Sequence, residues 1–252
     1  MPEHRFDTPE PVELKVTIPA GEIIVQTVDG DETVVTVEGT PKLVEQTTVE
    51  QRGGAIVVDF HGKHAGISIA IGNLSFGGGR LQVRASVPHS SWARLTSASA
   101  DVSLDGKLAS LEIKSVSGDI RASAEIEGDA TVKSVSGDLR LATIGGDLRV
   151  QSVSGDTTVR SVGGSLEVKS VSGDVRVESV RAGHATATSI SGDIEIGIAA
   201  GSNVDVDANS VSGELSSEVP LASEPVGTDG NSPTVVVRGK TVSGDFRVFR
   251  AA

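Results

Sequence analysis

Aspartate follows glycine repeatedly along this chain, and a row of carboxylates is its most chemically suggestive feature. Asp101, Asp119, Asp138, Asp156, Asp174 and Asp193 recur every 18 or 19 residues. Hard oxygen donors in a row are what calcium takes, and calcium-binding β-rolls share the nine-residue period found here. Asp119, Asp138, Asp156, Asp174 and Asp193 therefore form the candidate calcium ladder. The register argues against it. The β-roll unit places its Asp two residues before the apolar position, whereas each Asp here directly precedes that position and one glycine is missing. Carboxylates about 4.8 Å apart repel by about 0.9 kcal/mol in water, so something must compensate. The preferred reading is that each Asp accepts turn N–H bonds, and that Arg121, Arg140 and Arg176, two residues on, or nearby lysines neutralise it. No metal and no cofactor are predicted.

The same ladder offers carboxylate pairs at a spacing that glycosidases use. Any acidic repeat creates such pairs, no pair differs from the rest, and the repeats carry no aromatic platform for a sugar ring. No catalytic residue is assigned. His61 and His64 could present two imidazoles, but no carboxylate or cysteine pattern completes a metal site around them. The glycine-rich stretch Gly72–Arg80 lacks the Lys-Ser/Thr pair of a phosphate loop and precedes a strand, so it reads as a hairpin. The serines of the repeats have no partner base and read as corner residues bonding to backbone.

Composition narrows the classes further. Of 252 residues, 34 are acidic and 22 basic, a net charge of -12 that disfavours nucleic acid and anionic membranes as partners. Five Phe, one Trp and no Tyr leave the core to aliphatic residues. The absence of cysteine removes disulfides, zinc thiolates and thiol nucleophiles together. The opening MPEHRFDTPEPVELK has no basic segment followed by an apolar run, and no stretch approaches 18 apolar residues, so the chain is expected to be cytoplasmic.

These residues are positioned by a repeat. SVSGD occurs at 115–119, 134–138, 152–156 and 170–174, with variants SISGD at 189–193, SVSGE at 210–214 and TVSGD at 241–245. Weaker echoes between them (EIEGD, TIGGD, SVGGS) set the true period at about nine. Units begin at 93, 102, 111, 120, 130, 139, 148, 157, 166, 175, 185 and 194. Position 3 is always apolar, from Leu95 through Val150 and Val168 to Ile196, position 2 never is, and position 1 departs from apolar only at Thr157. That in, out, in alternation is a short β-strand. A further apolar residue stands at position 6 (Val116, Val135, Ile144, Val153, Val162, Val171, Val180, Ile190), so each unit reads strand, corner, strand, turn.

Near-identical units imply stacking, because a solenoid gives the same residue the same environment at every level. The predicted fold is all-β: a single-stranded parallel β-helix of 18–19 residues per turn, right-handed by the general crossover preference, with two facing sheets and two equivalent halves per turn. All nine prolines avoid the regular stack, as strands with ladder neighbours on both sides require. Five segments follow: 1–13 an N-terminal cap, 14–92 an irregular solenoid section, 93–216 the regular solenoid, 217–234 an edge loop, and 235–252 a terminal turn with its cap. Pro9, Glu10, Pro11 and Glu13 are expected to block strand addition at one end. Phe246 and Phe249 are expected to cap the terminal turn or to form a self-contact with a second chain.

The tandem SVSGD units, the opening with Gly21 and Gly30, and the terminal SGDFRV resemble the bacterial putative-adhesin family of β-strand repeat proteins, a domain-of-unknown-function class. The resemblance spans roughly 12–250 and implies a single-stranded β-helix with an adhesion or cell-envelope role. It implies no catalytic residue.

Function then follows from the surface. Lys114, Lys133, Arg149 and Lys169 stripe one sheet, and Arg121, Arg140, Arg160 and Arg176 the other. Residues 93–197 hold 11 basic and 15 acidic side chains, so these stripes read as solvated faces with cross-strand pairs. The expectation is a non-enzymatic scaffold or interaction module, adhesin-like or envelope-associated, whose partner is a protein or cell-surface component met on a sheet face or the 217–234 loop. It is expected to be a monomer or small homo-oligomer. The alternative is a cytoplasmic, self-assembling structural protein resembling the bactofilins, and a polysaccharide-acting enzyme stands third.

Overall fold

The computed structural model describes residues 2–61, 80–219 and 233–251. They form two compact units, Met1–Glu127 and Gly128–Ala252. The fold is all-β and solenoidal, with one helical turn as the exception.

The first unit contains β1 (Glu3–Asp7), β2 (Glu13–Val28), β3 (Glu32–Glu38), α1 (Pro41–Glu45), β4 (Thr47–Arg52), β5 (Ala55–Phe60), β6 (Leu81–Pro88), β7 (Ser91–Asp105), β8 (Lys107–Ser117) and β9 (Ile120–Ile126). β2 lies between two parallel neighbours, with β5 and β6 on one side and β7 on the other. The stretch with Glu13 is therefore an interior rung and not the blocked end that its prolines imply. Strand addition is met instead by antiparallel strands: β4 on β5, β3 on β6, and β1 on β3. With those strands in place, Ile56, Val58, Leu81 and Val83 are fully buried. His64, most of the glycine-rich stretch and most of the 217–234 loop lie outside the described residues.

The second unit contains β10 (Ala130–Lys133), β11 (Leu139–Ile144), β12 (Leu148–Gln151), β13 (Thr157–Val162), β14 (Leu166–Lys169), β15 (Val175–Val180), β16 (Gly183–Ser191), β17 (Ile194–Ile198), β18 (Asn203–Ser212), β19 (Leu215–Ser217), β20 (Thr234–Ser243) and β21 (Phe246–Arg250). Two stacks of parallel strands result. Leu148 pairs with Leu166 and Leu139 with Thr157 at a spacing of 18, and an extra residue near Gly183 makes the next step 19, Leu166 to Ala185. Every position 1 and position 3 residue of the nine-residue register is buried, Thr157 included.

Rung order departs from chain order at the end. β20 sits between β16 and β18, and β21 between β17 and β19. The last strands of the chain are thus inserted into the stack, and the last rung among the described residues is β18 with β19. The expectation that Phe246 caps the terminal turn, or offers a self-contact, is corrected accordingly. Phe246 is buried with Ile194 and Leu215 as ladder neighbours. Its ring crosses the interior to Gly239, where an added Cβ would lie 2.3 Å from the ring. A large apolar side chain gains most where rungs cover it on both sides.

The two halves of a turn are not equivalent. Ile144, Val162 and Val180 are buried as position 6 predicts, but on the SVSGD side the outward residues are Val153 (43% exposed), Val171 (42%) and Ile190 (52%). There Ser134, Ser152, Ser170 and Ser189 turn inward instead. The reason is the corner: each serine hydroxyl donates to the carbonyl two residues on, Ser134 to Ser136 at 3.1 Å and Ser189 to Ser191 at 3.1 Å. This bond satisfies a buried hydroxyl and turns the chain, so the pleat phase shifts by one residue.

Candidate functional site

The carboxylate ladder is the repeated polar feature of both units, and its geometry follows from the glycine before each Asp. Gly155 and Gly173 have φ of +108° and +116°, and an added Cβ would stand 2.3 and 2.4 Å from the carbonyl oxygen of the glycine one rung away. Only glycine permits both the left-handed backbone and that approach. The close stacking brings each carboxylate under the next rung.

In the second unit, Asp138 Oδ1 accepts the backbone N–H of Asp156 at 3.2 Å, Asp156 that of Asp174 at 3.0 Å, and Asp174 that of Asp193 at 2.9 Å. The series continues through the inserted strand: Asp193 accepts from Asp245 at 2.8 Å, and Asp245 from Glu214 at 2.8 Å. In the first unit Asp101 accepts from Asp119 at 3.0 Å. The predicted backbone bonding is present, but it runs between rungs and not within each turn. A second ladder, which the sequence reading did not single out, runs from Asp129 to the N–H of Asp147 (2.8 Å) and from Asp147 to that of Ser165 (2.7 Å). Its signal was the Gly-Asp pair of the EIEGD and TIGGD echoes.

Neutralisation is divided. Arg121 pairs with Asp119 and Arg140 with Asp138, each at 3.1 Å, as expected. Arg176 does not turn to Asp174. It pairs with Glu195 on the next rung and lies 5.6 Å from the Phe249 ring centroid, with Arg247 at 6.0 Å from the same ring. Phe249 is half-buried against Gly197 under these two guanidinium groups.

The outward faces carry glutamate held between two cations. Glu167 accepts from Lys169 at 2.6 Å on its own strand and Arg149 at 2.7 Å one rung away. Lys169 first, then Arg149, hold its carboxyl down at about 2. Glu112 repeats this with Lys114 (2.6 Å) and Arg94 (2.9 Å), and its pKa is also lowered, with the Lys114 hydrogen bond the main cause. A shallow, open depression lined by Asp129, Asp147, Arg149, Glu167 and His184 follows the second ladder. His61 accompanies Asp59 at 3.8 Å and Thr48 at 2.9 Å on an exposed face. Among the described residues no three His, Asp or Glu side chains converge as a metal site.

With rungs, ladders and corners in place, the chain can be assigned. The Toastrack family (Toastrack DUF4097) matches residues 10–151 and again 144–249, and the chain belongs to it. No curated protein matches the sequence. Solved structures similar to it include a putative adhesin from Bacteroides fragilis (16% identity, 98% of this chain and 95% of that one, TM-score 0.48). A putative lipid binding protein and a putative adhesin, both from Parabacteroides distasonis, are similar at 10% and 11% identity, each over 98% of this chain and 96% of the other, with TM-scores of 0.47 and 0.46.

Proposed function

We propose that the chain is a non-enzymatic, adhesin-like interaction scaffold that binds a protein or cell-surface component through its surface. One observation carries this reading: the repeated polar side chains are engaged in holding the rungs to one another. Ladder aspartates accept the next rung's N–H groups, and Glu112, Glu167 and Glu195 hold cations of their own or neighbouring strands. Among the described residues no carboxylate pair is set apart with the contrasting environments that an acid and a base need. The depression along Asp129 and Asp147 is built of the same ladder and ion-pair residues as the rest of the face.

The test pairs a binding screen with a turnover assay. Immobilised full-length chain is expected to retain a protein or glycan in saturable fashion while a panel of polysaccharides releases no reducing ends. Polysaccharide cleavage abolished by Asp129→Asn with Asp147→Asn would overturn the scaffold reading in favour of an enzyme.

A further inference from the structure

The last rung of the second unit is incomplete in a way that specifies what completes it. Among the described residues β18 pairs with β20 alone and β19 with β21 alone, so neither strand has a described partner on its opposite edge. Asn203 donates its N–H toward the β20 side, to Pro233 O at 2.8 Å. By the alternation of a parallel ladder, Val204, Val206 and Ala208 turn their N–H and C=O groups to that opposite edge. Their side chains continue the core, yet they are only half-buried, and Leu215 is 47% exposed. Their partners one rung inward, Val235, Val237 and Phe246, are buried. In the first unit the rung of β5 and β6 carries antiparallel β4 and β3, and its core residues are fully buried. A strand laid on β18 would do the same here.

Charge identifies the strand. Residues 203–219 contain Asp205, Asp207, Glu214 and Glu218 and no Lys or Arg. Glu218 pairs with Arg247, while Asp205 and Asp207 are exposed on the outward face of β18. On these faces the chain's own rule is that glutamate on one rung meets arginine on the next, as in Glu112 with Arg94 and Glu167 with Arg149. A second copy presenting the same edge would set carboxylates against carboxylates.

We propose that this edge of β18 and β19 takes up an extended segment of a partner protein by strand addition, with apolar residues over Val204, Val206 and Leu215 alternating with Lys or Arg opposite Asp205 and Asp207. This rests on the interaction-scaffold reading and names the partner's chemistry.

The probe is a fluorescein-labelled nine-residue peptide of alternating Val and Lys, titrated with the full chain and followed by anisotropy at low salt. Saturable binding is expected. It should weaken at least tenfold when Glu replaces Lys, and be lost when a central Pro breaks the backbone pairing. Asp205→Lys, at an exposed position opposite Val236 on β20, should reverse the preference toward the Val-Glu peptide while thermal melts stay unchanged; Asp207, which faces Arg238, is left in place. No binding overturns the proposal, as does equal binding of a peptide with its valines and lysines segregated in blocks, or a preference that the charge reversal leaves intact. Sedimentation showing self-association that Val206→Pro abolishes would assign the edge to a second copy and also overturn it. Polysaccharide turnover would sink the scaffold reading while leaving this titration to be judged separately.

Discussion

Asp156 Oδ1 accepts the backbone N–H of Asp174 at 3.0 Å, one rung away, and Asp174 does the same for Asp193. Each carboxylate therefore acts as a tie between rungs. Removing it in Asp156→Ala leaves the Asp174 N–H on this exposed edge to water and should cost about 1–1.5 kcal/mol, the upper part of the range for an ordinary hydrogen bond. Asp156→Asn keeps an acceptor oxygen and should cost under about 1 kcal/mol. Urea denaturation of the two variants checks the order; equal losses would show that the charge matters and the bond does not.

The same bond predicts the response to calcium. One oxygen of each ladder carboxylate is already committed to a neighbouring rung. Millimolar calcium should leave the melting temperature and circular dichroism unchanged. A rise of many degrees that magnesium fails to reproduce would establish the β-roll reading in its place.

Val150 is fully buried and Arg149, one residue before it, is exposed in a pair with Glu167. Val150→Asp should cost several kcal/mol, since a carboxylate would enter an aliphatic interior. Arg149→Asp trades an exposed ion pair for a like-charge neighbour and should be close to neutral. Thermal melts that place both variants together would refute the in-out register.

Thr157 is the one polar residue at position 1 of the register. Its hydroxyl is buried and has no hydrogen-bond partner among the described residues. Thr157→Val keeps the shape, removes that desolvated group and matches Leu139 and Val175 on either side. A gain of about 1 kcal/mol is expected, and a loss in chemical denaturation would reveal an undetected role for the hydroxyl.

Glu167 sets a pH dependence. Lys169 and Arg149 lower its carboxyl from 4.5 to about 2 in the folded chain. A depressed carboxyl contributes stability that is present above its unfolded value and fades as pH falls from about 4.5 through about 2. Its exposure limits the contribution to a fraction of a kcal/mol up to about 1. The gap in urea midpoint between wild type and Glu167→Gln should therefore close between pH 5 and pH 2. A gap that stays constant across that window would detach the stability from the ionised carboxylate.

How far the sequence carried is clearest along positions 1 to 3 of the nine-residue unit. Strand pleating is local, so alternation from Ala93 to Ile196 determined which side chains face inward without knowledge of any other rung. The SVSGD repeat determined the spacing of 18 or 19 and, because near-identical units stack, the solenoid class; turn chemistry assigned the ladder carboxylates to backbone N–H groups, which the tertiary structure places on the next rung. The corners required the fold. A buried valine and a buried serine fit the same pentapeptide, and only the Ser152 bond to Ser154, at 3.3 Å, turns Val153 outward. Rung order also belonged to the tertiary structure alone. Near-identical units stack on one another with nearly equal ease, so local pattern is degenerate as to which rung lies on which. Long-range packing breaks the degeneracy, by burying Phe246 across from Gly239 and by laying β5 and β6 outside β2. Because of that order, β18 is the acidic strand left with a single partner among the described residues.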